Sequence, residues 1–549
     1  MAVKLRGGEE KGGVSSSASG AFRIDVAGLS DRIAPLPVKP GNLFHLKAGK
    51  GLVGWSEAEG WDDNVVEEFY TPRGADKWKL HLYDASAKKD KEVVLTDAIS
   101  DWTFDTEGRR LLLRKGPNFH AGDAAAVFTT KALPEKLDLE RMTMTVDPRA
   151  EWKQIFEDTW RWYRDFFWSP SMNGNDWNAI GAKFRAWLPE LNSRQELNWM
   201  LSQMVGELNV SHTYVSGGDP GPGRPLPSPV YTGQLGADFR AENGLYRFAK
   251  VYGPTAYARD LKAPLANPAP LVKEGDYLLA VDGRPLKAPE AIGARLQVIK
   301  GQKVTLTVNA RPTMEGARTV EVEPVPQDRE LRYERWVADN IATVDKASHG
   351  QLGYMHLTAM GDQNIGQFDK YWRAFRYKKG IVIDVRGNGG GWTEFFMIDK
   401  LERKQVGFNV LRGMGPFRYP GTASDGRYVF LTNEQNGSDG EAFLEHVKAR
   451  KLGPIVGVPS WGGLVGIINT QFTLDGGRVE QSNNGFYGRE GKWWVENHGA
   501  DPDLTVENDP ASLMQGHDRQ LEVGIETLLK QLKENPTPAF PEVPAYPKR

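Results

Sequence analysis

The spacing of apolar and polar positions changes several times along the chain. Over residues 22–148, short alternating runs such as WKLHLYD and GRRLLLRK are separated by turns about every ten residues, which predicts all-β structure. The order of these runs is typical of one propeller blade followed by the start of another, so we expect the end or a remnant of a larger β array. Residues 1–21 are rich in Gly, Ser and charge, which indicates a disordered linker.

Helical spacing replaces the strand pattern over residues 149–218. An apolar face recurs every three or four residues within DPRAEWKQIFEDTWRWYRDFFW. Two further helices are predicted over NDWNAIGAKFRAWLPEL and SRQELNWMLSQMVGEL, and the second of them opens on a capping box. The chain then leaves the helix at NVSHTYV, so we expect His212 at a helix exit.

A separate small domain is predicted over residues 225–325. A Gly-rich turn in GQLGADF leads into a strand, and EGDYLLAVDGRPL indicates a strand that closes with an Asp-Gly hairpin. A helix over EAIGARLQVI and a strand over KVTLTVNA complete the unit. This order resembles a PDZ domain, with GQLGADF at the position of the peptide-binding loop.

Strands and helices alternate over residues 326–510. The apolar strands KGIVIDV, YVFLTNE and GPIVGVPS are separated by helical segments, which favours an α/β core with a largely parallel sheet. Its active edge should lie at the carboxyl ends of the strands, where RGNGGG and NGSDGE follow. A helix and a Pro-rich tail are expected over residues 511–549. The predicted fold class is therefore multidomain α+β, with a β segment, a helical segment, a PDZ-like domain and an α/β core.

Composition narrows the functional classes. The 549 residues suggest roughly three or four domains. No apolar run approaches the roughly 20 residues of a membrane helix, and no secretory signal follows Met1. We therefore expect a cytoplasmic protein, or a periplasmic or secreted one if the N-terminus is truncated. A net charge of -2 indicates neither a nucleic-acid nor a membrane partner, and the absence of cysteine excludes a thiol nucleophile and disulfides.

Ser438 is the first residue with candidate chemistry. It lies in NGSDGE, between a predicted buried strand and a predicted helix. The glycines allow a sharp turn that exposes the hydroxyl, and the following helix supplies free N–H groups and a positive dipole end. Because Ser is also a preferred N-cap residue, a purely structural role explains the same pattern.

Three other stretches contain candidate partners, each with an ordinary structural explanation. Asp384 ends a buried strand, and glycines 389–391 can supply bare N–H groups for an oxyanion hole or form a flexible loop. His212 is a candidate general base with Ser211 beside it, or a structural histidine at a helix end. Glu496, after KWWV, is by itself only a loop carboxylate.

In this order, the stretches resemble the tricorn protease family of serine peptidases, whose wider relatives are the carboxy-terminal processing proteases. The resemblance rests on SH after a helical segment, the PDZ-like domain, DVRGNGGG, NGSDGE and VENHGADPD, and it covers residues 25–510. It implies a nucleophile, a general base and two residues that orient the base. These are Ser438, His212, Ser211 and Glu496, in that order. It also implies that the backbone N–H groups of Gly390 and Asp439 form the oxyanion hole.

The chain departs from its apparent relatives in three ways. The processing proteases use a Ser-Lys pair, but no lysine occurs between Lys451 and Lys492, so His212 is the better base. The family's archetype selects basic side chains through an acidic residue, whereas the nearest position here is Asn409. The relatives carry more β-propeller upstream, so we expect a fragment or a shortened member. The resemblance implies a homo-oligomer, namely a hexamer.

Three functional hypotheses remain. The leading one is a serine endopeptidase or oligopeptidase that degrades peptides and unfolded polypeptides without a cofactor. The alternative is a catalytically inactive, PDZ-containing scaffold that binds peptides. A metal-dependent hydrolase is the third, although the nine histidines show neither HExxH nor HxH spacing.

Overall fold

The structure is a computed structural model that forms two compact units, Met1–Met144 and Thr145–Arg549. The residues it describes are 2–3, 27–28, 30–34, 36, 38–60, 77–84, 91–221, 232–266, 270–297, 301–468 and 470–547. The linker predicted over residues 1–21 lies outside these ranges, except for Ala2–Val3. Among the described helices, none combines the length and the apolar character that crossing a membrane requires.

The described residues of the first unit form three antiparallel sheets, β1–β2, β3–β6 and β7–β9, in agreement with the all-β structure that the alternating pattern predicts. Its strands are β1 (Ala2–Val3), β2 (Ile33–Ala34), β3 (Asn42–Ala48), β4 (Leu52–Ala58), β5 (Trp78–Asp84), β6 (Glu92–Ile99), β7 (Asp101–Phe104), β8 (Arg110–Lys115) and β9 (Asn118–Asp123). In β8, Leu111 and Leu113 are fully buried while Leu112 faces solvent. A short helix, α1 (Ala124–Thr130), was not predicted; the Asp123 side chain caps it by accepting the Ala126 N–H.

The second unit begins with the three predicted helices. They are α2 (Pro148–Phe166), α3 (Trp177–Arg185) and α4 (Arg194–Gly206). The apolar face of α2 packs in their common core through Ile155, Phe156 and Tyr163. Beyond α4, the chain continues through His212 into a short strand, β10 (Tyr214–Ser216).

The PDZ-like domain is an antiparallel sheet in the order β11-β12-β13-β15-β16, with β14 paired to β13. Its strands are β11 (Ala237–Glu242), β12 (Leu245–Val251), β13 (Tyr277–Val281), β14 (Arg284–Pro285), β15 (Val304–Asn309) and β16 (Arg318–Val322). The predicted helix over EAIGARLQVI is wrong: the structure has one 3-10 turn, Ile292–Arg295. Thr232 packs against Gly293, and the Leu296 carbonyl accepts the Gly233 N–H, so this segment pairs with residues 232–233 instead of continuing as a helix.

The α/β core is built on a parallel sheet in the order β17-β18-β21-β22-β25, which agrees with the βα alternation. Its strands and the shorter ones around it are β17 (Leu352–His356), β18 (Gly380–Asp384), β19 (Gly407–Asn409), β20 (Phe417–Tyr419), β21 (Tyr428–Thr432), β22 (Ile455–Gly457), β23 (Thr470–Phe472), β24 (Arg478–Glu480) and β25 (Leu504–Thr505). The helices are α5 (Arg329–Ala347), α6 (Asp362–Phe375), α7 (Glu394–Leu401), α8 (Asp439–Arg450), α9 (Pro510–Met514) and α10 (Arg519–Glu534). Every residue of β17, β18 and β21 is buried, which explains their continuous apolar runs.

A small antiparallel sheet joins the helical segment to the core. Strand β10 pairs with β24, and β24 pairs with β23. Beside it, Arg194 of α4 and Asp475 form an ion pair at 2.5 Å, and both side chains are 2% exposed. These contacts fix the segment that carries His212 against the core, far from it in sequence.

Candidate active site

Ser438 lies at the corner between β21 and α8. Its φ of 55° and ψ of -126° are a sparsely populated combination that costs a residue with a side chain about 1–3 kcal/mol. Its side chain makes no cap hydrogen bond, and the Glu441 N–H bonds instead to the Ser438 carbonyl oxygen at 2.8 Å. Among the described residues, the Ser438 hydroxyl has no hydrogen-bond partner. The hydroxyl is therefore not used to begin the helix.

The glycine run after β18 lies directly against this corner. A methyl group placed on Gly390 would lie 2.4 Å from Ser438 Cβ and 3.0 Å from the Asp439 backbone nitrogen. The Gly390 N–H, however, donates to Asn388 Oδ1 at 2.8 Å. Within the described ranges, the N–H groups of Gly391 and Asp439 have no partner. An anion at Gly390 would therefore require the loss of the Asn388 bond, whereas the other two donors are free.

The candidate base is part of a relay of three side chains. The Ser211 hydroxyl lies 2.9 Å from His212 Nδ1 and 3.2 Å from Glu496 Oε2, and the Ser211 N–H donates to Glu496 Oε1 at 2.7 Å. Because a carboxylate only accepts, the single hydroxyl proton of Ser211 goes to Glu496. The His212 Nδ1–H then donates to Ser211. This arrangement leaves the Nε2 lone pair of the imidazole unprotonated and basic.

The surroundings of His212 keep it neutral near pH 7. Burial lowers the pKa of His212, and the charges of Glu496 and Glu480 oppose that shift by raising it. The Glu496 carboxylate itself accepts two more hydrogen bonds, from the N–H groups of Leu464 at 2.8 Å and Val465 at 2.7 Å. With four donors around it, Glu496 is held in one orientation.

One segment of chain, residues 460–465, links the two halves of the site, and we call it the strap. The Gly463 carbonyl accepts the Ser438 N–H at 3.1 Å, and the next residue, Leu464, donates to Glu496. The Trp461 ring lies 5.4 Å from the His212 ring between centroids. A methyl group on Gly437, the residue before Ser438, would lie 2.8 Å from Trp461 Cε3. The tryptophan therefore contacts both the segment of the base and the corner of the nucleophile.

The Asp439 carboxyl group belongs to a second, buried cluster. Its Oδ2 accepts the Glu394 N–H at the start of α7, at 3.2 Å. Burial and the neighbouring Glu394 carboxylate raise the pKa of Asp439 to about 9, so this side chain is neutral at pH 7. His446 Nδ1 lies 3.4 Å from Glu394 Oε1. The Asp439 side chain thus adds no negative charge beside its own backbone N–H.

Two other residues that the sequence analysis singled out, Asp384 and Asn409, make no contact described here with Ser438 or the His212 relay. Asp384 is fully buried and forms an ion pair with Arg386 at 2.6 Å, so it stabilises the core. Asn409 is an exposed residue at the end of β19, where it pairs with Phe417. Within the described ranges, no three His, Asp or Glu side chains converge as metal ligands would.

Sequence reasoning missed three parts of the site. They are the buried Glu441, the buried Asn388 and the strap. A signal existed for Glu441, because a Glu three residues after an N-cap Ser is typical of a capping box. The strap had none, since most of its hydrogen bonds come from backbone N–H and C=O groups, which the pattern of side chains does not reveal.

Comparisons with known proteins show which families the chain resembles. Family models match three segments: the tricorn protease C1 domain at residues 148–206, the tricorn protease PDZ domain at 233–327, and peptidase family S41 at 351–506. The chain is 34% identical over 540 residues to tricorn protease homolog 1 of Streptomyces coelicolor, covering 95% of this chain and 48% of that protein. It is 28% identical over 531 residues to the tricorn protease of Thermoplasma acidophilum, covering 94% and 47%.

The fold has a counterpart among solved structures. The crystal structure of the tricorn protease superposes with a TM-score of 0.81 at 24% identity, over 94% of this chain and 49% of that one. The chain thus spans about half the length of the curated relatives it matches. The structural likeness establishes the fold.

Proposed function

Because this chain belongs to the tricorn protease family, we propose that it is a serine peptidase that hydrolyses peptides and unfolded polypeptides through an acyl-enzyme. The observation that carries the proposal is the Glu496–Ser211–His212 relay, which is joined by the strap to an unbonded Ser438 hydroxyl. A serine is a weak nucleophile on its own, so it needs such a base.

Acylation follows from these groups. Ser438 Oγ attacks the peptide carbonyl carbon while His212 Nε2 takes its proton, and the carbonyl oxygen becomes an oxyanion. The imidazolium is stabilised by the hydrogen bond from Nδ1–H to Ser211 and, through it, by the charge of Glu496. As the C–N bond breaks, the imidazolium returns the proton to the leaving amine.

Deacylation repeats the same proton transfers with water as the nucleophile. His212 Nε2 takes a proton from the water molecule as its oxygen bonds to the acyl carbon. The C–O bond to Ser438 then breaks, and the proton passes to Ser438 Oγ, which regenerates the hydroxyl. The products are a carboxylic acid and the free enzyme.

The oxyanion requires backbone N–H donors beside Ser438. Asp439 and the glycine run supply them; we propose Gly390, in which case its N–H must leave Asn388 when the oxyanion forms. The adjacent Gly391 N–H is already free and is the neighbouring alternative. Loss of one such donor costs about 100- to 1,000-fold in turnover in comparable sites.

A serine-to-alanine substitution tests the function. Ser438→Ala should abolish hydrolysis of a fluorogenic peptide library and covalent labelling by a fluorophosphonate probe, while the folded protein still melts cooperatively. Unchanged hydrolysis would refute the assignment of the nucleophile. If the folded wild type is neither labelled nor active but still binds peptides, the inactive scaffold is the correct description.

The finer properties are also proposals. The activity is that of an endopeptidase or oligopeptidase in the cytoplasm. The family resemblance implies a homo-oligomer, namely a hexamer. The domains span residues 22–148, 149–218, 225–325, 326–510 and 511–549. Light scattering after gel filtration measures the oligomeric state, and a mass near 61.1 kDa would contradict it. Limited proteolysis checks the domain boundaries.

A further inference from the structure

Glu441 is a fully buried carboxylate that the proposed reaction does not use. It lies three residues after Ser438, in the first turn of α8. Its two oxygens accept four hydrogen bonds from the nucleophile corner and from the strap. The donors are Ser460 Oγ at 2.6 Å, Gly462 N at 2.6 Å, Gly463 N at 2.8 Å and Ser438 N at 3.1 Å.

Burial of a carboxylate is costly unless its lone pairs are satisfied. Burial raises the pKa of Glu441, and the hydrogen bonds from Ser460, Gly462, Gly463 and Ser438 oppose that shift. Two ionised oxygens offer about four lone-pair sites, which matches the four donors. A neutral amide cannot replace this carboxylate, because its NH₂ group would point at backbone N–H groups.

The strap is held at both ends by carboxylates. Glu441 accepts the N–H groups of Gly462 and Gly463, and Glu496 accepts those of the next two residues. Four consecutive backbone N–H groups are thereby divided between the carboxylate of the nucleophile helix and the carboxylate of the base relay. The relative position of the two halves depends on both anchors.

We propose that Glu441 is a positioning residue, which sets the separation of Ser438 and His212 by fixing the strap to the nucleophile corner. This rests on the proposed function and adds to it a residue beyond Ser438 and the His212, Ser211 and Glu496 relay. Misplacement of a reacting group by about 1 Å can cost about 100-fold in rate. Loss of the anchor should therefore lower kcat, while KM, which depends on contacts elsewhere, stays nearly constant.

Glu441→Gln tests the proposal, with Glu334→Gln as its matched control. Glu334 is also a buried glutamate, on α5, and it shares no hydrogen bond with the strap, Ser438 or Glu496. We expect kcat of E441Q to fall about 10- to 100-fold with KM within about twofold, and fluorophosphonate labelling of Ser438 to slow in parallel. The acid limb of kcat/KM, set by His212, should stay in place. E334Q should lose melting temperature but keep its kcat.

Two results would overturn the proposal. One is folded E441Q with wild-type kcat; the other is an equal loss of kcat in E334Q, which would make the effect one of general destabilisation. If E441Q does not fold, Ser460→Ala tests the proposal instead. It removes one of the four donors to Glu441 and should lower kcat, at constant KM, by a smaller factor than E441Q. Wild-type kcat in folded S460A would then overturn the proposal. A wild type that is neither active nor labelled would instead contradict the proposed function, so the two failures are distinguishable.

Discussion

The corner that carries the nucleophile and the segment that carries the base are built in opposite ways. The corner is continuous in sequence: strand β21, the turn with Ser438 and the first turn of α8 follow one another within residues 428–441. The base relay joins Ser211 to Glu496, which are 285 positions apart. Local sequence therefore predicts the turn that carries the nucleophile, whereas only tertiary structure determines whether the base reaches it.

Removal of the base should have the largest effect on activity. We expect His212→Ala to lower kcat/KM about 1,000-fold or more, because the variant lacks the general base that takes the Ser438 proton in the proposed mechanism. The matched control is His349→Ala, which alters an exposed histidine with a similar φ of 51°, against 53° for His212. Peptide hydrolysis at pH 7.5 measures both. An equal loss in the two variants would contradict the role of His212.

A methyl group added at Gly390 tests whether close packing of the glycine run against Ser438 is needed for activity. Gly390→Ala would bring Cβ to 2.4 Å from Ser438 Cβ, so the oxyanion donors and the nucleophile must move apart. We expect kcat to fall about 100- to 1,000-fold. Gly387→Ala is the control in the same loop: its φ is 67°, also positive, but its nearest neighbour is Gln435 Oε1 at 4.0 Å. Near wild-type kcat for G390A would show that the loop takes no part.

Loss of the Glu496 carboxylate, at the far end of the relay, should lower kcat by a smaller factor. We expect Glu496→Gln to lower kcat about 100-fold, less than the roughly 10,000-fold loss where a carboxylate contacts the imidazole directly. Glu496 raises the pKa of His212, so its removal lets that pKa fall further. The acid limb of kcat/KM should move to lower pH in E496Q. A shift to higher pH would contradict the relay.

The buried carboxyl pair predicts a modest effect on stability. The folded pKa of Asp439 is about 9, whereas an Asp in the unfolded chain ionises near its ordinary pKa of 3.8. Stability from the protonated form is complete below the unfolded value and is lost as the pH rises toward 9. We expect the melting temperature of the wild type to fall from pH 6 to pH 9. Asp439→Asn, which cannot ionise, should show a flatter profile; parallel profiles would contradict the assignment.

The contrast between the nucleophile corner and the base relay also explains how much of the candidate site could be predicted from the sequence. The Ser438 turn could be predicted because the glycines and the flanking strand and helix are local signals. Ser211 was a candidate partner of His212 because it is the neighbouring residue, whereas Glu496 was expected to join them only by resemblance, since no spacing rule connects residues 285 positions apart.

The secondary-structure predictions also succeeded where local pattern decides the structure and failed where tertiary contacts do. The βα alternation predicted the parallel sheet, but helix α5 was missed, and the expected helix over EAIGARLQVI is a single turn. In that case contact with Thr232 and Gly233 outweighed helical spacing. The strap could not be predicted because backbone groups make most of its hydrogen bonds.

The distance in sequence between the two halves has a consequence for synthesis. A growing chain that has emerged only through β22 contains the serine corner and the histidine but lacks both the strap and Glu496, which anchors the second half of the strap. Such an incomplete polypeptide cannot assemble the proton relay. The proposed peptidase activity should thus arise only late in translation.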